Sequence, residues 1–108
     1  MMSKYSVAFL IPRDTVRSLC DDGWEFSSES RIPSEVESLL KSEFSETEVT
    51  PEYSSYESGN VMVGISKDSS GQIENVYFRF YEGLKPTLPL FLTEFSQLNN
   101  LDFFIPSN

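Results

Sequence analysis

The chain has 108 residues, of which 39% are hydrophobic and 14% aromatic, so its length fits one domain and its composition excludes a wholly disordered chain. The net charge is −9, with one cysteine and no histidine, which excludes an internal disulfide framework, histidine catalysis and histidine metal ligation. We therefore expect a single domain over residues 1–108, with no catalytic, metal-binding or cofactor-binding residues.

The N-terminal residues bear on the compartment. Apolar residues 7–11 are followed at once by Pro12 and Arg13, and this run is too short for the apolar region of a signal peptide. No part of the chain approaches the ~20 apolar residues that span a bilayer. We expect a cytoplasmic location, no membrane partner and a buried thiol at Cys20.

The first predicted element is a strand over residues 5–11, with Tyr5, Val7, Phe9 and Ile11 on one face. The alternate residues are also apolar in part, which favours a central place in a sheet. Residues 14–20 predict a short helix that ends before Gly23. The tryptophan at position 24 is expected in the core.

A longer helix is predicted over residues 34–46. Ser34 and Glu37 have the spacing of a capping box, in which each side chain satisfies a free backbone N–H of the other residue. Its apolar stripe at helical spacing consists of Val36, Leu39, Leu40 and Phe44. One weak strand is expected after it.

A hairpin is predicted from residues 60–66 and 73–82. The loop 68–71 has residue types that suit a tight turn, and pairing Lys67 with Gln72 sets Val63 opposite Val76. Alternation then gives one apolar face, which we expect to meet the helices and which consists of Val61, Val63, Ile65, Val76, Phe78 and Phe80.

The last elements are a helix over residues 87–98, with Thr87 as N-cap, and a short strand over residues 101–105. Strands that do not alternate strictly with helices indicate an α+β fold. We predict a two-layer α+β domain with a mainly antiparallel sheet of four to five strands and two helices packed on one face.

Acidic residues are concentrated in one third of the chain. Residues 21–57 contain eleven acidic and two basic residues and so carry the whole net charge of −9. Such a field repels nucleic acid and attracts basic proteins, although a solvated surface without a partner gives the same pattern. The predicted partner-binding residues are Glu35, Glu37, Glu46, Glu48, Glu52, Tyr53, Tyr56 and Glu57.

Aromatic residues near these acids leave two interpretations open. Tyr53 and Tyr56 are either interface residues, since tyrosine is frequent at binding hot spots, or edge-strand residues. Arg79 between Tyr77 and Tyr81 either stacks on a tyrosine or makes a contact on an exposed sheet face.

The second half of the chain resembles a broad group of bacterial proteins. A long strand over residues 73–82, Ile-Glu-Asn-Val-Tyr-Phe-Arg-Phe-Tyr-Glu, precedes a short helix and a short terminal strand. Residues 60–105 are similar in this arrangement to immunity-type proteins, which neutralise a toxin, often a basic nuclease, by covering its active site. The resemblance implies inhibitory binding and assigns no role to any single residue.

The sequence thus predicts a non-enzymatic, immunity-type inhibitor that binds a basic protein, such as a toxin domain, through an acidic surface over residues 21–57 and does not bind nucleic acid directly. Two alternatives stay open: a phage-type nucleic-acid mimic that blocks a DNA-binding enzyme, and a small secretion chaperone or adaptor. A small carboxylate enzyme is disfavoured because a saccharide cleft needs a larger scaffold. The oligomeric state is left open.

Overall fold

A six-stranded antiparallel sheet organises the fold, with a separate two-stranded hairpin beside it. The computed structural model describes residues 5–81 and 83–106. Within them the elements are β1 (Tyr5–Pro12), β2 (Val16–Cys20), β3 (Gly23–Ser27), α1 (Glu35–Glu43), β4 (Ser45–Val49), β5 (Tyr53–Ser58), β6 (Val61–Lys67), β7 (Ile73–Tyr81), α2 (Leu90–Leu98) and β8 (Leu101–Phe104).

The strand order is β4-β5-β6-β7-β1-β8, and all paired strands are antiparallel. The predicted α+β class and antiparallel sheet are confirmed. The predicted count of four to five strands is wrong, because residues 45–58 form two strands where the sequence indicated one, and residues 16–27 form two more. The two-layer arrangement with both helices on one face stays a prediction.

The buried core includes residues of one sheet face, here called the inner face. Ala8, Val63 and Phe78 of this face are fully buried and belong to one cluster with Val36 and Leu40 of α1. Burial of the valine, leucine and phenylalanine side chains contributes about 1.5–3 kcal/mol each. The predicted strand over residues 5–11 is confirmed; Tyr5, Val7, Phe9 and Ile11 share the opposite, outer face.

The β6–β7 hairpin has the predicted faces and a different register. Val63 pairs with Phe78 rather than Val76, a shift of two residues, and the register is irregular between Ser66 and Lys67. An even shift keeps every side chain on its face, which is why the predicted apolar face survives. The loop is longer than predicted because the Asp68 carboxylate accepts hydrogen bonds from the backbone N–H of Ser70 and Gln72.

The predicted helix over residues 14–20 is wrong, since β2 and β3 form a hairpin there. Asp21 and Asp22 make the turn between the paired residues Cys20 and Gly23, and Gly23 has a φ of 115°, which favours glycine. The expected buried thiol is also wrong, because Cys20 is exposed. Trp24 lies outside the main core and is half-buried.

Both helices are shorter than predicted. α1 ends at Glu43 because Phe44 has extended backbone angles and leads into β4. Within the described residues the predicted capping box is absent, since Ser34 makes no side-chain cap bond. α2 begins at Leu90, after Pro89 rather than Thr87, and the predicted strand that follows it is confirmed as β8.

Candidate partner-binding surface

The β4–β5 hairpin forms one edge of the large sheet. β4 pairs only with β5 among the described strands, and all five of its residues are exposed. β-branched Thr47 and Val49 favour a strand there, and the turn at residues 50–52 closes with a hydrogen bond of 2.7 Å from the Thr50 N–H to the Tyr53 carbonyl. This edge therefore presents the side chains of β4 to solvent.

Residues 42–66, which span this hairpin, contain five acidic residues and no base. All five are exposed, and we call them the acidic edge: Glu43, Glu46, Glu48, Glu52 and Glu57. At pH 7 the carboxylates create a field without a neutralising charge on the same hairpin.

A β-bulge between Glu46 and Glu48 distributes these charges. Glu46 pairs with Tyr56 on the inner face, whereas Glu48 pairs with Ser55 on the outer face, because Thr47 is the extra residue. The Thr47 hydroxyl is 2.6 Å from the Ser55 hydroxyl. Carboxylates thus lie on both sides of the edge rather than in one row.

Glu37 is not part of this exposed set. Its side chain is 14% exposed and accepts hydrogen bonds from Lys67 Nζ at 2.8 Å and from the Tyr56 hydroxyl at 2.6 Å. Burial of the Glu37 carboxylate raises its pKa, but the bonds from Lys67 and Tyr56 outweigh burial, and the net pKa is lowered. Glu37, one of the predicted partner-binding residues, therefore lies in an internal ion pair, whereas Glu35 in the same turn is exposed.

Tyr53 and Tyr56 lie on β5, which pairs with β4 and β6, so neither is an edge-strand residue. Tyr56 is fully buried on the inner face, and burial together with its bond to Glu37 raises its pKa. Tyr53 is half-buried on the outer face, where a Cβ added to Gly64 would lie 2.8 Å from its hydroxyl oxygen and 2.5 Å from Tyr77 Cε1. The hydrogen bond from Tyr56 to Glu37 therefore links the sheet to α1. Gly64, which has no side chain, leaves space for the rings of Tyr53 and Tyr77.

The ion pair of Lys67 was not predicted, although the sequence carries a signal for it. Lys67 is the single base between residues 42 and 78, and a lone base among acids favours an internal ion pair. Its exposed fraction of 18% and its bond to Glu37 show that pair.

The acidic stretch 21–57 does not form one surface. Asp21, Asp22 and Glu25 belong to the β2–β3 hairpin, whose Phe26 packs on Phe9 of β1 with ring centroids 4.9 Å apart. β1 and β4 are four strand spacings apart, about 19 Å at ~4.8 Å each. The expectation of one charged surface is corrected: only the part after residue 42 lies on the β4 edge.

The opposite edge, β8, has compensated charges. The Asp102 carboxylate accepts hydrogen bonds from Arg17 at 3.0 Å and from Arg13 at 3.4 Å. The Arg17 guanidinium carbon also lies 4.7 Å from the centre of the Phe104 ring. Trp24 meets the same ring edge-on at 5.0 Å. Arginines and aromatic rings thus cover β8.

The outer face between the edges carries Arg79. Its guanidinium carbon lies 4.5 Å from the Tyr5 ring centre and 5.9 Å from that of Tyr77, so the stacking interpretation of Arg79 is the one observed. Tyr5 is 51% exposed. The other residues discussed on this face are less exposed, since Tyr53, Tyr77 and Arg79 are half-buried.

Among residues 5–81 and 83–106, no group of three or more His, Cys, Asp or Glu side chains could hold a metal ion. No helix in these ranges is long and apolar enough to cross a membrane. Comparisons with protein-family models, with curated proteins and with solved structures found no match in any of the three.

Proposed function

We propose that this chain is a non-enzymatic binding protein, namely an immunity-type inhibitor. In this proposal its acidic edge binds a basic protein, such as a toxin domain. The observation that carries the proposal is the charge of that edge: five exposed carboxylates and no base over residues 42–66. A cytoplasmic location and the absence of direct nucleic-acid binding are parts of the same proposal.

The physical basis is charge-assisted hydrogen bonding. Lys and Arg donors bind carboxylates with short, strong bonds, and desolvated pairs couple by about 1.5–7 kcal/mol. The remaining carboxylates accelerate the encounter over a Debye length of about 8 Å at physiological salt. A basic partner gains both effects at this edge, since no base competes for the carboxylates there.

Two alternatives fit the edge less well. A nucleic-acid mimic needs carboxylates in a strip like phosphates, but the bulge sends Glu46 and Glu48 to opposite faces. An adaptor that dimerises by pairing β4 with a second β4 brings glutamates near glutamates, which is destabilising. A partner with the opposite charge avoids both difficulties.

The test compares two variants with equal net charge. In the first, the edge variant, lysine replaces Glu46, Glu48, Glu52 and Glu57. In the second, the control, lysine replaces Asp21, Asp22, Glu25 and Glu29, which are also exposed and lie outside the β4–β5 hairpin. Both are compared with the natural chain for affinity toward a protein recovered by pull-down from the source cells.

We expect the edge variant to lose at least about a hundredfold in affinity and the control to lose less than about tenfold. Affinity of the natural chain should fall as salt rises from about 0.05 M to about 0.5 M. Equal losses in both variants would reduce the acidic edge to a contributor of net charge, and unchanged affinity in both would remove it from the interface.

A further inference from the structure

An apolar groove of about 390 Å³ opens next to the acidic edge. It lies where α1 passes into β4, where β7 leaves the sheet and where α2 begins. Its apolar wall includes Phe44, Val61, Phe80, Leu84, Leu88 and Leu90. The Phe44 ring packs edge-on against the ring of Phe91 of α2, with ring centroids 5.8 Å apart, and this packing fixes its position in the wall.

Two leucines on the lip of this groove are exposed. Leu90, the first residue of α2, is 90% exposed, and Leu84 in the preceding loop is 41% exposed. Leu90 at this exposure contributes little to folding, since burial is what makes an apolar side chain stabilising. A pocket with exposed apolar residues on its lip, next to charged residues, is typical of binding surfaces.

Acidic residues near the groove favour a positively charged binding partner. Glu43 directly precedes Phe44, and Glu46 lies two residues beyond it on the same strand face. Glu94 is one helical turn after Leu90, on the same side of α2. Lys85 is the one base among the described residues that line the groove.

We propose that the groove receives a large apolar side chain of the basic partner, flanked in that partner by Lys or Arg residues that bind the acidic edge. This rests on the proposed function and adds the anchor that carries specificity. Binding interfaces concentrate their energy in a desolvated apolar anchor within a polar rim, and here the groove supplies the pocket and the glutamates supply the rim.

A second copy of this chain fits the groove poorly. The exposed leucines outside the groove, Leu19 and Leu98, lie near Asp21 and Glu94 respectively, so docking either one brings carboxylates toward Glu43 and Glu46. An apolar side chain between bases carries no such repulsion.

Short peptides test this arrangement without knowledge of the partner. The first probe has a phenylalanine between two pairs of lysines, the second has glycine in place of the phenylalanine, and the third has glutamates in place of the lysines. Each is titrated to about 5 mM against the isotope-labelled chain, a range that reaches millimolar dissociation constants. Backbone amide shifts report the position and strength of binding.

We expect the lysine–phenylalanine peptide to shift the amides of Phe44, Val61, Leu84, Leu88 and Leu90 and to bind about tenfold or more tightly than the glycine peptide. The double variant Leu84→Gln, Leu90→Gln should remove that difference. The matched control Leu19→Gln, Leu98→Gln changes two leucines that are 69% and 75% exposed and lie outside the groove, and should keep it. Lys85→Ala should tighten binding about twofold to threefold.

The outcomes separate this inference from the proposed function. Equal affinity of the phenylalanine and glycine peptides, with shifts confined to the acidic edge, overturns the anchor and supports the charged interface. Equal binding of the glutamate and lysine peptides that contain phenylalanine overturns the required flanking charge. Binding of no peptide up to about 5 mM contradicts both proposals.

Discussion

The two edges of the large sheet are built in opposite ways. At β8, every residue is at least partly buried, Asp102 has two arginine partners, and aromatic rings of the β2–β3 hairpin lie on the strand. At β4, all five residues are exposed and the neighbouring acids have no basic partner on the same hairpin. One edge is stabilised by packing, and the other is protected from aggregation only by charge and a bulge.

This difference separates residues needed for stability from residues free to serve binding. Side chains that cover β8 contribute to folding, so their replacement should lower stability. Side chains on β4 contribute little to folding, since exposed substitutions usually change stability by less than about 0.5 kcal/mol. Stability measurements on single variants test whether residues needed for folding are distinct from residues free to serve binding.

Phe78→Ala should have the largest effect, because Phe78 is fully buried on the inner face between β6 and β1. We expect a loss of about 3–5 kcal/mol in the free energy of unfolding. Urea unfolding is followed by Trp24 fluorescence near β8 and by circular dichroism of the whole sheet. Coincident transitions are expected if the edges share one core, and an earlier Trp24 transition would contradict a common core.

Phe104→Ala tests the covered edge against the open one. Phe104 contacts the rings of Phe9, Trp24 and Phe26, so its truncation should cost about 2 kcal/mol, less than for a fully buried ring. The matched change Val49→Ala on β4, at a residue that is 54% exposed, should cost less than about 0.5 kcal/mol. Comparable costs in urea unfolding would end the distinction between the edges.

Glu37→Ala tests the bond between α1 and the sheet. It leaves the Lys67 ammonium and the Tyr56 hydroxyl without their carboxylate, so we expect a loss of about 1.5 kcal/mol. The control Glu35→Ala removes an exposed carboxylate from the same first turn of α1 and should cost less than about 0.5 kcal/mol. A similar cost for both would assign the effect to the helix dipole instead.

The pH dependence of stability should have two sides. The pKa of Glu37 is lowered, so its stabilisation is complete above the ordinary value of 4.5 and is lost as pH falls through the lowered pKa. The pKa of Tyr56 is raised, so its stabilisation is present below the ordinary value of 10.0 and is lost as pH rises beyond it. Urea unfolding across pH should show both losses, and the acid loss should shrink in Glu37→Ala.

Asp102→Asn should have the smallest effect. Its partners Arg13 and Arg17 are 53% and 32% exposed at the side chain, and such pairs contribute at most about 1 kcal/mol. We expect a loss of about 0.5 kcal/mol that disappears at high salt, because salt screens these exposed charges while the aromatic packing on β8 is unchanged. Thermal unfolding at two salt concentrations checks this, and a loss above about 2 kcal/mol would make the charges essential.

Which side chains share a face of a strand or helix was predictable from local sequence. Alternation with a period of two is a local property, so the inner face of β6 and β7 and the α+β class were predictable even though the hairpin register was not. The net charge and the missing histidine were fixed in the same way. The amphipathic stripe of α1 was also local, and its buried residues Val36 and Leu40 were both predicted.

Contacts between segments distant in the chain were visible only in the tertiary structure. Glu37 had the right spacing for a capping box, but Lys67 and Tyr56 supplied stronger partners from the sheet. A helix was predicted over residues 14–20, but residues 16–20 form a strand. They pair with β3, whose Phe26 packs on Phe9 of β1. The division of the acidic stretch between the β2–β3 hairpin and the β4 edge depends on strand order, which local periodicity does not encode because pairing joins residues far apart in the chain.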